Sequence, residues 1–337
     1  MAAGAALADR TIGEALGEFV VGAGFSGHMA GFALGDGTLR LVSEQGGWRT
    51  VKVHDGAVLS MVTAGGGWLT GGDDGGFRRV AADGAVSDVA RFKGKWVEQV
   101  AAFSDAKAPL AACAVGKVVH VFDGKGERLK SLEHPSSVTG VVFDGKGKRV
   151  AASHYNGCSL WFVNAKVDTP RVLEWKGSHT GIALHPGGEA AVTCMQENAL
   201  HGWRLADGQH MRMSGYPTKT ESLSFSRNGK WLASSGADTV VLWPFFGGGP
   251  MGKAPLELAG GDGVMCTRVA FHPLQDMVAA AFADGLVVVA DVASERILPV
   301  ALPGHGPVTA LAWSADGSKL AFGTEAGFAA LVDLAKR

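Results

Sequence analysis

A repeating unit of roughly 41 residues constrains the fold of this 337-residue chain more than any other feature. One copy, residues 308–333, contains a strand, a polar turn, a second strand, a tight turn and a third strand. The polar turn recurs in eight copies, which begin near Phe25, Ala64, Phe103, Phe143, Leu184, Phe225, Phe271 and Trp313. The end of the third strand gives the same count independently, at Val42, Val80, Phe122, Phe162, Trp203, Trp243, Ala290 and Val332.

Each unit also contains a fourth β-rich segment before the next unit begins, for example Arg128 to Leu132 and Ile297 to Leu302. Four strands at this period are typical of a β-propeller blade. We therefore predict an all-β chain that forms one domain over residues 1–337, a β-propeller of eight four-stranded blades. Seven blades is the alternative, if residues 17–43 form something else. The segment from Arg10 to Leu16 is expected to complete the last blade and close the ring, since that unit lacks its own fourth strand.

Composition and charge exclude several classes of protein. Hydrophobic residues make up 47% of the chain, but no apolar run is long enough to span a membrane. The 31 Lys and Arg residues nearly balance the 32 Asp and Glu residues, so nucleic acid is not the expected partner. The first ten residues do not resemble a secretory signal, and we expect a cytoplasmic protein.

Four widely spaced cysteines predict buried thiols rather than disulfides or a zinc site: Cys113, Cys158, Cys194 and Cys266.

The units resemble those of the WD-repeat β-propeller family. The matching features include the Gly-His pair at His305, the Ser-His pair at His179, the Asp284-Gly285 turn and the closing Trp203 and Trp243. The resemblance implies a rigid platform for protein partners without catalysis. It also implies a hydrogen-bonded chain inside a blade, for which His179, Thr193 and Trp203 are the best-matched set, with Glu197 where the family has Asp. We interpret these residues and Trp243 as structural.

The segment Gly247 to Lys253 fits the phosphate-loop spacing G-x-x-x-x-G-K. The required Ser or Thr and the following helix are missing, because Ala254 and Pro255 come next, so we reject a phosphate site. The same connection carries Phe245 and Phe246. These rings pack under their own blade or form a partner-binding loop, and the sequence leaves both possibilities open.

Residues 91–149 contain a local excess of basic side chains. Five of them could form a positive patch for RNA or membrane, although a solvated surface is favoured: Lys125, Arg128, Lys146, Lys148 and Arg149. No nucleophile motif or paired carboxylates are visible, so we predict no catalytic residue, cofactor or metal ligand.

The sequence therefore predicts a monomeric, non-catalytic scaffold that binds protein partners of unknown identity. The binding face is expected to consist of the connections from the fourth to the first strand and from the second to the third. The alternative is an enzyme with a metal or acid/base site in the central channel. The candidate partner-binding residues are Trp96, Glu98, His154, Tyr155, Met195, Gln196, Glu221, Met265, Arg268, Glu325, Phe245 and Phe246.

Overall fold

The computed structural model describes residues 7–335, and its regular elements are β-strands. In chain order these are β1 Thr11–Ala15, β2 Val20–Ser26, β3 Met29–Leu34, β4 Thr38–Ser43, β5 Gly46–Lys52, β6 Val58–Ala64, β7 Gly67–Gly72, β8 Gly76–Ala81, β9 Val86–Arg91, β10 Gln99–Phe103, β11 Leu110–Val115, β12 Val118–Asp123, β13 Arg128–Glu133, β14 Gly140–Phe143, β15 Arg149–Phe162, β16 Arg171–Leu184, β17 Ala190–Met195, β18 Leu200–Arg204, β19 His210–Met213, β20 Leu223–Phe225, β21 Trp231–Ser234, β22 Thr239–Pro244, β23 Leu256–Gly260, β24 Cys266–Phe271, β25 Met277–Phe282, β26 Val287–Asp291, β27 Ile297–Ala301, β28 Val308–Trp313, β29 Lys319–Thr324 and β30 Phe328–Asp333. Among the described residues, no helix has the length and hydropathy needed to cross a bilayer.

The strands belong to two compact units of the all-β propeller fold. The first unit comprises Met1–Gly35, Leu39–Val51 and Tyr216–Arg337, and the second comprises Asp36–Thr38 and Lys52–Gly215. The first unit contains four-stranded antiparallel sheets β2–β5, β20–β23, β24–β27 and β28–β30 with β1. The second contains the four-stranded sheets β6–β9 and β10–β13 and a six-stranded sheet, β14–β19.

The described strands form seven hydrogen-bonded sheets, so the prediction of eight separate four-stranded blades is wrong and the alternative count of seven agrees with the structure. The cause lies in β16, which pairs with β15 through Arg171–Ser178 and with β17 through His179–Leu184. The fourth and fifth sequence units therefore share one sheet. Residues 17–43 are not the reason for the lower count, because β2, β3 and β4 lie in a regular four-stranded sheet.

Within the six-stranded sheet, β15 is a hairpin rather than one straight strand. It reverses direction at Asn156, which has a φ of 66°, and the N–H of Val163 donates to the carbonyl of Lys148 at 2.9 Å. Gly157 follows at the turn, where a Cβ atom would lie 2.1 Å from the carbonyl oxygen of Leu173. Both sequence units thus retain four strand segments, although they share a sheet.

The predicted closing strand is confirmed. β1 pairs antiparallel with β30, with Thr11 opposite Val332 and Ala15 opposite Phe328. The N–H of Leu16 donates to the carbonyl of Gly327 at 2.7 Å and extends the ladder. The N-terminal segment therefore covers the edge that β30 would otherwise expose.

Apolar side chains fill the space between successive sheets. In the first unit, Val240 and Leu242 of β22 pack with Val278 and Phe282 of β25 in one buried cluster. Both faces of these inner strands are covered, as their continuous apolar runs indicate. The four cysteines are buried and free, as the sequence predicts.

Buried histidines link strands inside the second unit. His54 contacts the Thr70 hydroxyl through Nε2 at 2.9 Å and the Asp74 carboxylate through Nδ1 at 2.8 Å. Burial lowers the pKa of His54. Burial alone would raise the pKa of Asp74, but hydrogen bonds from the Gly76 N–H and from His54 bring it well below its ordinary value. Arg78 contacts the second Asp74 oxygen at 3.0 Å, so the carboxylate is paired on both sides.

Other blades use different side chains for the same linkage. The indole N–H of Trp161 donates to Nε2 of His134 at 3.1 Å. In the first unit a tyrosine takes this place: the indole N–H of Trp243 donates to the Tyr216 hydroxyl at 2.6 Å, and that hydroxyl lies 2.6 Å from Oγ of Ser234. A phenol hydroxyl can donate and accept at once, so it replaces an imidazole in this chain of bonds.

The predicted set around His179 forms only in part. Nδ1 of His179 lies 2.7 Å from the Thr193 hydroxyl, and Nε2 contacts the carbonyl of Trp175 at 2.8 Å. The indole N–H of Trp203 instead points to the carbonyl of Glu174 at 3.4 Å. Glu197, in the position of the family's Asp, accepts a hydrogen bond from the N–H of Ser178 at 3.2 Å.

A pair of proline substitutions tests the closing strand. In an antiparallel ladder alternate residues exchange hydrogen bonds, and the bonds at Arg10 and Leu16 assign Glu14 to the bonded positions and Ala15 to the outward ones. Both side chains are exposed. We expect Glu14→Pro to lower the free energy of unfolding by about 1–3 kcal/mol more than Ala15→Pro, because only the former removes a ladder donor. Equal urea midpoints for the two variants would contradict the pairing.

A second prediction concerns acid pH. Burial lowers the pKa of His134 from 6.5 to about 4, so the unfolded chain takes up this proton first as the pH falls. The contribution of neutral His134 to stability is therefore complete above pH 6.5 and is lost progressively as the pH falls toward 4, and amounts to about 3 kcal/mol at most. We expect urea unfolding to show stability falling between about pH 6.5 and 5, where carboxylates stay ionised.

The matched variant for this titration is His134→Gln, whose amide oxygen can still accept the Trp161 N–H but does not titrate. Its unfolding free energy should depend less steeply on pH than that of the wild type. Identical pH slopes would show that His134 is not the group responsible.

Candidate functional site

The predicted partner-binding residues of the second unit differ in exposure. Trp96 is 60% exposed and Tyr155 is 55% exposed, and Gln196 is also exposed. Glu98 is half-buried, and its N–H donates to the carbonyl of Ala114 at 3.1 Å. Trp96 and Tyr155 are therefore the two aromatic side chains of this set that a partner can reach.

Two further members of that set lie in the interior. His154 is 2% exposed; its Nδ1 contacts the carbonyl of Tyr155 and its Nε2 contacts the Ser159 hydroxyl, both at 2.9 Å. Met195 is 3% exposed. His154 holds the turn that presents Tyr155, and of these two buried side chains only that of Met195 lines a cavity.

In the first unit, the predicted residues Glu221 and Arg268 contact each other. The Glu221 carboxylate accepts from Lys219 at 2.8 Å and from Arg268 at 3.3 Å. The Arg268 guanidinium also donates to the carbonyls of Thr309 at 2.7 Å and Thr267 at 2.8 Å, which fixes its position. Met265 is half-buried, whereas Glu325 is exposed.

The two adjacent phenylalanines in the connection after β22 have different environments. Phe245 is buried and meets the ring of Phe225 edge-on at 5.0 Å, so it packs under its own blade. Phe246 is half exposed and meets Trp231 edge-on at 5.4 Å. The ammonium group of Lys253 lies 4.9 Å from the centre of the Phe246 ring.

Lys253 also explains why this segment is not a phosphate loop. Its ammonium group donates to the carbonyl of Phe246, to that of Gly247 at 3.3 Å and to that of Gly249 at 2.9 Å. The loop therefore directs oxygen acceptors inward, whereas phosphate binding needs converging N–H donors.

The proposed basic patch keeps four exposed side chains, Lys125, Arg128, Lys146 and Lys148. Its fifth member, Arg149, is half-buried and pairs with the Asp144 carboxylate at 2.9 Å. Whether these residues attract an anionic partner stays a prediction.

A cavity opens beside Tyr155 in the second unit. It has a volume of about 610 Å³ and is lined by Tyr155, Asn156, Glu174, Trp175, Lys176 and His210. A second cavity of about 290 Å³ shares Trp175 and Lys176 with the first and adds Met195, Glu197, Ala199 and Arg212. We call the two together the Trp175 groove. It combines the aromatic residues Tyr155 and Trp175 with Met195 and Arg212, which are residue types enriched at protein interfaces.

The buried ring of His201 supports the Trp175 groove. Trp175 stacks on His201 with ring centres 4.0 Å apart, and Nε2 of His201 lies 2.9 Å from Nδ1 of His210. Burial lowers the pKa of His201 to about 3, helped by the nearby His210, so His201 is neutral at physiological pH. The tryptophan thus rests on an uncharged, fixed ring.

The first unit has a cavity of about 550 Å³ beside β27. Its lining includes Leu274, Met277, Ile297, Leu298, Trp313 and Leu334. The imidazole of His272 at its base accepts hydrogen bonds from the N–H groups of Leu274 and Gln275. No partner-binding residue predicted from the sequence lies in this lining.

One group of side chains resembles a catalytic triad, but it is buried. Thr70, His54 and Asp74 have the order of a nucleophile, a base and a carboxylate, but Thr70 and His54 are almost completely buried. A substrate could not reach the hydroxyl without opening the sheet. Among the described residues, no group of three or more His, Cys, Asp or Glu side chains could hold a metal ion.

Sequence reasoning found Tyr155 and Met195 but missed Trp175, Lys176, His210 and Arg212. The repeat pattern could have identified two of these residues. Trp175 and Lys176 lie at the end of a fourth-strand segment, where the connection to the next unit begins. His210 and Arg212 line the groove only because of the face of the sheet on which their side chains lie. That face depends on the register of β19, which a single sequence does not determine.

Comparisons with known proteins support the fold. Residues 269–337 match the model of the anaphase-promoting complex subunit 4 WD40 domain, and residues 211–243 match the WD domain, G-beta repeat. A search of curated protein sequences finds no match.

A solved structure of the computationally designed Ika8 protein is similar in fold, with a TM-score of 0.76 and 19% sequence identity. The alignment covers 95% of this chain and 98% of that one. The two family matches and the propeller fold show that the chain is similar to WD-repeat β-propellers.

Proposed function

We propose that this protein is a non-catalytic scaffold that binds a polypeptide partner at the Trp175 groove. WD40 propellers generally act as protein-interaction scaffolds, and the family is typically non-enzymatic. The main observation behind the proposal is that the exposed ring of Tyr155 and Trp175 line the same cavity, and that Trp175 also lines the second one. We further propose that the protein is monomeric and cytoplasmic.

The groove suits a partner because it offers aromatic contact area and because the residues that provide this area are held in place. Tyrosine and tryptophan provide large contact areas with few rotatable bonds, so little conformational entropy is lost on binding. The backbone N–H of Tyr155 donates to the Ser136 hydroxyl at 2.9 Å, and the Trp175 ring rests on His201. Lys176 and Glu174 on the same rim can select partners by charge.

A pair of matched substitutions tests the site. Tyr155 and Phe162 belong to the same hairpin, β15, and have similar exposure, 55% and 60%, but only Tyr155 lines the groove. Partners captured by the wild type from native lysate should be identified, purified and titrated against both variants. We expect Tyr155→Ser to weaken binding by about tenfold, the effect of losing an aromatic anchor. Phe162→Ser should bind like the wild type.

Circular dichroism melting curves of both variants provide the control for folding. If Tyr155→Ser retains full affinity for every captured partner, or Phe162→Ser loses as much, the groove is not the docking site.

A further inference from the structure

A second exposed surface combines positive charge with an aromatic ring. It is the segment Arg91–Trp96, which starts at the last residue of β9 and leads toward β10, with the sequence Arg-Phe-Lys-Gly-Lys-Trp. The side chains of Arg91, Lys93, Lys95 and Trp96 are exposed. We call this segment the basic–tryptophan loop. Trp96 is, with Phe162, the most exposed aromatic residue of the described chain, at 60%.

The loop is held in place at both ends. The N–H of Phe92 donates to the carbonyl of Gly75 at 2.8 Å, and its ring stacks on His120 with centres 4.7 Å apart. At the other end, Val97 is fully buried and its N–H donates to the carbonyl of Gly72 at 3.0 Å.

The tip of the loop is also closed by its own backbone. The N–H of Lys95 donates to the carbonyl of Phe92 at 3.1 Å, and Gly94 adopts a φ of 68°. The loop packs so closely on the preceding turn that a Cβ on Gly75 would lie 2.2 Å from the carbonyl oxygen of Phe92. A loop fixed in this way loses little entropy when a ligand binds.

The positive charges of the loop are not neutralised within the molecule. Arg91, Lys93 and Lys95 form no ion pair with any residue between 7 and 335. The carboxylate of Asp88, in the strand before the loop, accepts instead from Arg78 at 2.8 Å. Within residues 91–98, Glu98 is the single acidic residue against three basic ones.

We propose that the basic–tryptophan loop binds an acidic segment of a protein partner, with carboxylates at Arg91, Lys93 and Lys95 and an apolar side chain against Trp96. This inference rests on the proposed scaffold function and names a partner class at a separate surface of the same unit. A polypeptide fits better than a nucleic acid, because single-stranded nucleic acids use several aromatic platforms for successive bases and this loop exposes one. The net charge of −1 also gives the chain no general attraction for phosphate backbones.

The test uses purified full-length protein and a short fluorescein-labelled peptide of Glu and Leu residues, followed by fluorescence anisotropy. The matched peptide has Gln in place of every Glu. We expect the Glu peptide to bind at least about tenfold more tightly than the Gln peptide, and its affinity to fall between about 50 and 200 mM salt. Equal affinity for the two peptides, or no binding, would overturn the proposal.

Three variants locate the site. Lys93→Glu/Lys95→Glu should weaken binding of the Glu peptide by at least about tenfold, and Trp96→Ser by about fivefold. Arg227→Glu/Lys230→Glu changes the net charge equally at an exposed turn of the first unit and should leave the affinity unchanged. Equal losses in both charge-reversal variants would show a general charge effect and contradict the assignment.

A single-stranded uridine oligonucleotide of equal length tests the other class of partner. If it binds more tightly than the Glu peptide and depends on Trp96, the loop is a nucleic-acid site and the proposal is wrong. This assay does not involve Tyr155, so its failure leaves the Trp175 groove untouched. Failure of the Tyr155→Ser experiment likewise leaves this assay valid.

Discussion

Packing of one sheet on the next is the interaction on which the rest of this structure depends. A single four-stranded sheet cannot bury both of its faces alone, so apolar clusters draw side chains from two successive sheets. One cluster joins Val119 of β12 to Val150 and Trp161 of β15, and another joins Val20 of β2 to Leu331 of β30. The exposed connections are therefore attached to strands that are fixed from both sides.

Close sheet packing also explains some of the unusual glycine content. A Cβ on Gly323 in β29 would lie 2.3 Å from Cγ1 of Val20 in β2. A Cβ on Gly71 in β7 would lie 2.4 Å from the carbonyl oxygen of Val97. At both positions a side chain would separate elements that the core holds in contact. The buried Val97 in turn fixes the basic–tryptophan loop, so this constraint extends from the core to a candidate binding surface.

The sequence could predict the repeats because the turns carry strong local signals, and it could predict the pairing of β1 with β30 because one unit lacked a strand. It could not predict that the fourth and fifth units share one sheet. That outcome depends on whether the chain stays extended through Gly177, where β16 passes from β15 to β17. The turn pattern is the same in either case.

Motif matching also found only some of the hydrogen-bonded side chains inside the blades. His179 matched a motif, and its bond to Thr193 follows the family pattern. Tyr216 matched none, yet it links Ser234 to Trp243 as the histidines do in other blades. The interior requires a group that can satisfy buried donors and acceptors, and several side chains meet that requirement. A motif identifies one solution and overlooks the others.

The candidate surfaces were harder to predict because their function depends on what neighbouring residues leave unsatisfied. Arg149 and Lys93 both belong to the basic region of the sequence, but Arg149 pairs with Asp144, whereas Lys93 has no acidic partner among residues 7–335. His154 and Tyr155 are adjacent in the chain, yet one supports the turn and the other faces solvent. Exposure and pairing are properties of the assembled sheets. The packed sheets thus leave a few charged and aromatic side chains exposed and unpaired, and the two proposals depend on these side chains.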